Sequence, residues 1–326
     1  LEKLMSDPLP TVVIPGDEPI QIADSPALDC LRARANVEVY RDLPGSLDEK
    51  LERVANADVI LSSRSVVTWR ESDFAKLPRL KMIATCSVGT DSIDLDAAKT
   101  RGIVVSNQPG INAPFVAEHM FGLMLAVAKR AAEQTMALRA GKWVASPNVM
   151  LQGKRLGVVG TGAIGAEMAR LGKALGMEVV AWTFNPNPTR AKELGVQYVE
   201  LDELLATSAV VSLHVRLSDS SQGLIGVREI ARMRSDAILL NGARGAVVDT
   251  RALITALERG HLHGAGIDVF DEEPMPADSP IAQCPRVVLT PHCADQTPEA
   301  VMAVNAGAVD NILAFLDGQP RVNAAG

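Results

Sequence analysis

The chain has 326 residues, 47% hydrophobic and 22% charged, without a low-complexity tract; that is enough for about two domains with buried cores and excludes a disordered chain. A formal net charge of -7 and five scattered histidines leave no basic stripe, which excludes the electrostatic footprint of a nucleic-acid binder. The longest uncharged apolar stretch, Met120 to Ala128, falls short of the roughly 20 residues that span a bilayer, and no signal-peptide pattern opens the chain. The expectation is a cytoplasmic protein with no membrane partner. Leu1 to Asp7 are set aside from fold reasoning.

Short β-branched runs alternate with helical patterns through Thr11 to Ile14, Val37 to Tyr40, Val59 to Leu61, Met82 to Thr85 and Val104 to Ser106. Such alternation predicts a parallel sheet flanked by helices. The punctuated stretch Asn107-Gln108-Pro109-Gly110, then Asn112-Ala113-Pro114, predicts a domain boundary and a helix start with Asn112 as cap. The following helix, Ala113 to Arg130, is apolar nearly all round. It needs more than one covering surface and, with the Trp143 segment, predicts a homodimer.

A second strand series runs through Leu156 to Val159, Val179 to Trp182, Val196 to Val199, Val210 to Leu213, Ile238 to Leu240, Ala265 to Ile267 and Val287 to Leu289. Thr297-Pro298-Glu299 then starts an amphipathic helix carrying Val301, Val304, Ala308, Ile312 and Phe315. Its cap, proline and acid suit a helix N-terminus, and it is expected to pack back on the first domain. The predicted fold class is α/β, with two doubly wound parallel-sheet domains and a cleft between them. The expected division is 1–107 with 294–326, and 108–293.

After the strand at Leu156 to Val159 comes Gly160-Thr161-Gly162-Ala163-Ile164-Gly165, a G-x-G-x-x-G that opens a helix predicted over Ala166 to Leu175. Gly160 allows the tight turn, Gly162 lets backbone approach a pyrophosphate, Gly165 permits close helix packing, and the helix N-terminus attracts the anion. The second domain is therefore read as a Rossmann dinucleotide-binding domain, with Ala163 and Ile164 among the cofactor residues, and the first as a flavodoxin-like substrate domain. The next strand ends in Thr183-Phe184-Asn185, where a carboxylate would repel a 2'-phosphate. Its absence modestly favours NADP among the NAD(P) cofactors, with Arg190, read as part of the same loop, or Arg216, just beyond a later strand, available for the phosphate. In the contrary reading, Thr183 and Asn185 bind free ribose hydroxyls and both arginines are solvated.

Three polar residues interrupt apolar or glycine-rich context at expected strand ends: Arg244, Glu273 and His292. In a doubly wound sheet these ends form the ligand crevice. Reduction of a 2-oxo acid needs a planar cation for the carboxylate and carbonyl, which Arg244 supplies. It also needs a proton donor, which His292 supplies if a carboxylate, Glu273, favours its imidazolium. Taken singly, each also has an ordinary reading, as a surface cation, a solvated acid and a core histidine.

These segments, with Ser87-Val88-Gly89-Thr90-Asp91-Ser92-Ile93-Asp94, Asn107-Gln108-Pro109-Gly110-Ile111-Asn112, Val116-Ala117-Glu118-His119 and Ser212-Leu213-His214-Val215, resemble the D-isomer-specific 2-hydroxyacid dehydrogenase family. The resemblance implies catalytic roles for Arg244, Glu273 and His292, and backbone N–H groups of Val88 and Gly89 at the substrate carboxylate. It implies Asp268 at the nicotinamide carboxamide, and His214 and Ala243 in the cofactor site. Thr183 stands where NAD-preferring members carry aspartate, and Arg216 where many carry proline. Glu273 replaces the glutamine of formate dehydrogenases. The expected activity is hydride transfer between NAD(P)H and a small D-2-hydroxy or 2-oxo acid, as in a glyoxylate or hydroxypyruvate reductase. Two alternatives stand beside it: an NAD(H)-sensing protein like the transcriptional corepressors of this branch, and a formate or phosphite dehydrogenase.

Trp69, Phe74 and the Ser62-Ser63-Arg64-Ser65 loop are read as shaping the substrate pocket or as core and surface. Cys30, Cys86, Cys284 and Cys293 lack paired zinc-ligand spacing, so no metal is expected.

Overall fold

A computed structural model describes residues 8–64 and 66–319, so Ser65 of the expected pocket loop, Leu1 to Asp7 and the end of the 294–326 segment lie outside the described residues. The chain divides into two compact units, Leu1–Asn112 with Thr297–Gly326, and Ala113–Gln296. These bounds lie a few residues from those expected, and hydrogen bonds near each junction stay within one unit. Asn107 Nδ2 donates to Val88 O at 2.7 Å, and Asn107 O accepts from Asn311 Nδ2 at 3.3 Å. At the other junction, Cys293 and Ala294 donate their N–H groups to Asp268, both at 3.1 Å.

The first unit has five parallel strands, β1 (Thr11–Ile14), β2 (Asn36–Val39), β3 (Val59–Ser62), β4 (Met82–Thr85) and β5 (Val104–Ser106), in the order β2-β1-β3-β4-β5. The interior strands β3 and β4 are buried along their whole length, which is why they read as unbroken apolar runs. One face packs Val12, Ile14, Leu61 and Met82 against Leu28, Leu31, Ala308 and Ile312; the other packs Val13, Ile60 and Ile83 against Trp69 and Phe74. Trp69 and Phe74 are thus core, not pocket, residues.

The helix Pro298–Leu316 is capped by Thr297, whose hydroxyl accepts from Ala300 N. By length and composition it would also cross a membrane, a pattern that a search for uncharged runs misses because Glu299 and Asp310 interrupt it. In this unit it packs on β4 and on the helix Ala27–Arg32 through its buried face.

The second unit has seven parallel strands: β6 (Arg155–Val159), β7 (Glu178–Trp182), β8 (Gln197–Tyr198), β9 (Val210–Leu213), β10 (Ile238–Asn241), β11 (Gly264–Ile267) and β12 (Val287–Leu289). Their order, β12-β11-β10-β9-β6-β7-β8, reverses direction between β6 and β9, the switch point where such sheets open a crevice. Edge strand β8 pairs only over Gln197 and Tyr198, shorter than the Val196 to Val199 run predicted. The helix Ala113–Ala128 stops two residues before the expected Arg130, which sits at φ 51 as the chain turns into Ala131–Arg139. The helix after the glycine loop starts early, at Ala163, because Gly162 already serves as its N-cap.

The glycine loop carries a direct stability test. A Cβ on Gly165 would lie 1.9 Å from Gly160 O, whereas one on Gly162 would meet nothing within 4 Å. Gly165→Ala should therefore lower the stability of this unit by about 1–3 kcal/mol or more. Gly162→Ala should stay within about 1 kcal/mol of the parent. Urea unfolding of both variants checks the contrast, and equal midpoints would contradict it.

Candidate active site

At the switch point Gly160 adopts φ 97, and a Cβ there would come within 2.8 Å of the His214 carbonyl carbon. Gly160 N donates to Trp182 O, and His214 N donates to Val159 O, both at 2.7 Å, so the loops after β6, β7 and β9 are tied together. The helix Ala163–Ala174 has no side-chain cap at Gly162. The first N–H groups of a helix lack intrahelical acceptors, and the open space at Gly162 leaves backbone approachable there. This cradle fits the pyrophosphate of a dinucleotide.

Thr183 and Asn185 follow β7; Thr183 is half-buried and Asn185 exposed. Phe184 packs edge-on against Trp182, with centroids 4.8 Å apart. Arg190 lies not in a loop but in the helix Pro188–Leu194, capped by Asn187, and its Nη1 reaches Glu193 at 3.5 Å. Arg216 is exposed beyond β9. His214 shares a hydrogen with Ser212 Oγ at 2.8 Å, and its Nδ1 is buried without a partner. Burial pushes its pKa down to about 4, which leaves it neutral.

Arg244 follows β10 in a turn shaped by Asn241, whose Oδ1 accepts from Ala243 N at 3.1 Å and whose Nδ2 donates to Arg244 O at 3.0 Å. The 3-10 turn Gly245–Val247 comes next, and a Cβ on Gly245 would lie 2.1 Å from the Phe270 carbonyl carbon. That close packing sets Arg244 beside the loop after β11. In that loop Glu273 Oε1 accepts from Phe270 N at 2.9 Å, and Oε2 pairs with His292 Nδ1 at 2.6 Å.

His292 follows β12 with a left-handed φ of 49, and its N–H donates to Thr290 O at 3.0 Å. Such a conformation is uncommon for a residue with a Cβ. Because an ionised carboxylate only accepts, Nδ1 carries a hydrogen, and Nε2 is left to exchange a proton. The hydrogen bond that His292 Nδ1 donates to Glu273 raises the His292 pKa; burial and the Arg244 charge oppose it, while the charges of Glu273 and Asp268 reinforce it. Burial raises Glu273, but the bonds from His292 and Phe270 N, with the charges of His292 and Arg244, outweigh it and hold the carboxyl below its usual value.

Asp268, at the end of β11, has no exposed surface. Its Oδ1 accepts from Thr290 Oγ1 at 2.5 Å and from Cys293 N at 3.1 Å, and its Oδ2 accepts from Ala294 N at 3.1 Å. The sequence resemblance places it at the nicotinamide, and its side chain also ties together the residues around His292. His119 carries no role in the sequence motif that contains it, yet its Nε2 lies 3.0 Å from Thr290 Oγ1 and 3.5 Å from Asp268 Oδ1. Ligand atoms of His119, Asp268 and Cys293 fall within 4.8 Å of one another, but the first two are already engaged with Thr290. Burial, then the Asp268 charge, raises the Cys293 thiol, so it is a neutral filler.

Arg244, Glu273 and His292 thus gather at the carboxyl ends of β10, β11 and β12 in the second unit. Val88 and Gly89 lie in the first unit, after β4, where Ser87 Oγ donates to Gly89 O at 2.9 Å and Gln108 N donates to Ser87 O at 3.0 Å.

The family model for the D-isomer specific 2-hydroxyacid dehydrogenase NAD binding domain matches residues 121–294. A glyoxylate reductase of Korarchaeum cryptofilum is 38% identical over 290 residues, covering 87% of each chain. A solved structure from Thermus thermophilus superposes with a TM-score of 0.86 at 37% identity, covering 98% of this chain and 100% of the other. An acyclic imino acid reductase solved with NADPH and D-Arg gives a TM-score of 0.86 at 26% identity, covering 96% and 99%. A nicotinamide dinucleotide is accordingly the cofactor that the glycine cradle fits, and the chain belongs to the D-isomer-specific 2-hydroxyacid dehydrogenase family.

Proposed function

We propose that this chain reduces a small 2-oxo acid, such as glyoxylate or hydroxypyruvate, to the D-2-hydroxy acid, and that NADPH serves at least as well as NADH. The observation that carries the reading is the 2.6 Å bond between His292 Nδ1 and Glu273 Oε2, because it supplies a protonated imidazole where a reduced carbonyl needs a proton. The glyoxylate reductase similarity supports the choice of substrates. The cofactor, when bound, supplies the hydride.

The chain's own residues do the rest. The N–H groups at Gly162, Ala163, Ile164 and Gly165 hold the pyrophosphate, and Ala243 and His214 complete the cofactor site. Arg244 binds the substrate carboxylate and polarises its carbonyl, and His292 Nε2 gives its proton to the carbonyl oxygen; in the first unit, Val88 and Gly89 keep the substrate-binding role that the family resemblance gives them. Glu273 keeps that proton in place. Asp268 takes the nicotinamide carboxamide, the role the family resemblance gives it, and holds the turn that carries His292.

A panel of 2-oxo acids assayed with each cofactor tests the reading, and no turnover of any member would refute it. His292→Gln should lower kcat for reduction by about 10²–10⁴-fold, the usual worth of a positioned acid. The pH profile has a definite sign. Reduction needs imidazolium, so the rate holds below the raised His292 pKa and declines as pH rises through it. Glu273→Gln removes the stabilising carboxylate and should move that decline to lower pH.

Thr183 offers no charge to repel a 2'-phosphate, and Arg190 and Arg216 are the nearby cations in sequence. We therefore expect kcat/KM for NADPH to equal or exceed that for NADH. Arg190→Ala or Arg216→Ala should reduce the NADPH value alone by about tenfold, the worth of one charge-assisted hydrogen bond at the low end. A preference for NADH beyond about tenfold would overturn this choice.

We also infer that the second unit pairs with a second copy of the chain. Trp143 is 92% exposed, Met136 70% and Met150 63%, an apolar surface unusual for a protein that stays alone. Sedimentation at micromolar concentration should show a dimer that Trp143→Glu weakens; a parent that is monomeric there would contradict the inference.

A further inference from the structure

The residues that aim the proton donor lie one layer beneath it. Asp268 receives the N–H groups of Cys293 and Ala294, the two residues that follow His292, and the hydroxyl of Thr290, two residues before it. One buried carboxylate therefore grips the His292 turn from both sides. Between the grips, Pro291 has a fixed φ, and His292 sits at φ 49, a conformation that persists only where its surroundings over-determine it.

The direction of the hydrogen bonds follows from chemistry. The Thr290 hydroxyl has a single hydrogen, which goes to the carboxylate at 2.5 Å. It must therefore accept in its contact with His119, so His119 Nε2 is the donor across 3.0 Å. His119 belongs to the helix Ala113–Ala128, which packs on β10, β11 and β12. The line from helix to turn thus runs from His119 through Thr290 to Asp268.

We propose that His119 and Thr290 are positioning residues for His292, acting through Asp268 to hold its turn so that the imidazole meets Glu273. The inference rests on the reading of His292 as proton donor. The charged groups that act on His292 are Glu273, Arg244 and Asp268; only the bond to Glu273 depends on the precise aim of the ring. If the turn relaxes, that bond lengthens and the imidazolium loses its main support.

The test uses the full chain with Thr290→Val and His119→Leu, which break the line, and Thr290→Ser and His119→Gln, which keep a donor at each step. The His292 titration is followed by NMR of the histidine ring C–H signals, assigned with His292→Gln, alongside steady-state reduction. Breaking the line should bring the His292 pKa down towards its ordinary value and lower kcat by about tenfold or more, as expected for a displaced catalytic group. KM for the cofactor should stay within about twofold, since the variants leave both the glycine cradle and the Asp268 carboxylate itself in place. The conservative variants should restore both readouts.

An unchanged His292 titration in Thr290→Val and His119→Leu would overturn the proposal. So would a rise in cofactor KM with titration and kcat intact, because the line would then serve the cofactor. If the parent protein reduces no 2-oxo acid, the functional reading fails, but the titration still decides whether His119 and Thr290 position His292.

Discussion

Seven strands that all run the same way must deliver every following loop to one edge of the sheet, and the second unit is organised by that constraint. The reversal between β6 and β9 separates the loops on either side of it and opens room there. Gly160 follows β6, Thr183 follows β7, His214 follows β9, Arg244 follows β10, Asp268 follows β11 and Thr290 follows β12. No long-range folding device is needed to collect them. What is needed is that the strands stay in register, and the complete burial of β9, β10 and β11 makes a slip costly, since a one-residue shift would turn every side chain to the other face.

Within that edge the cation and the acid work against each other at His292. Arg244 is the cation that the proposed reaction needs for a carboxylate substrate, yet its charge disfavours the imidazolium. The hydrogen bond donated to Glu273 is the larger influence and reverses the sign. Glu273 is itself kept ionised by His292, by Phe270 N and by Arg244 against its own burial. The three residues are therefore one electrostatic unit, in which the Glu273 carboxylate favours the His292 imidazolium despite the Arg244 charge.

Much of this is legible in the sequence, for physical reasons. Buried parallel strands are continuous β-branched runs, so the strands are recognisable; β8 is overdrawn because an edge strand has the same residue types but only one partner. The glycine loop is legible because each glycine answers a separate steric demand. Arg244, Glu273 and His292 stand out as polar residues in apolar or glycine-rich context at strand ends. His119 does not, because its partner is 171 residues away and a histidine in a helix carries no local mark of its partner. The burial of Asp268 is equally invisible, since an acid at a strand end looks alike whether it faces a ligand or grips a neighbouring turn. Arg190 reads as a loop residue because Asn187-Pro188 resembles a break, when it is the cap and first position of a helix.

The two histidines on this sheet edge show how environment, and not residue type, assigns the proton. His214 has burial and the Ser212 hydroxyl; a hydroxyl carries no charge to offset desolvation, and the pKa falls to about 4. His292 is also partly desolvated, but its partner is an ionised carboxylate, and its pKa rises. Near neutral pH the first is an uncharged ring, whereas the second keeps its Nε2 proton to higher pH than an ordinary imidazole would. Exchanging the partners, with a hydroxyl at Glu273 and a carboxylate beside His214, would move the imidazolium from the loop after β12 to the loop after β9, away from Arg244. The placement of one carboxylate at Glu273 thus decides at which strand end an imidazolium is favoured.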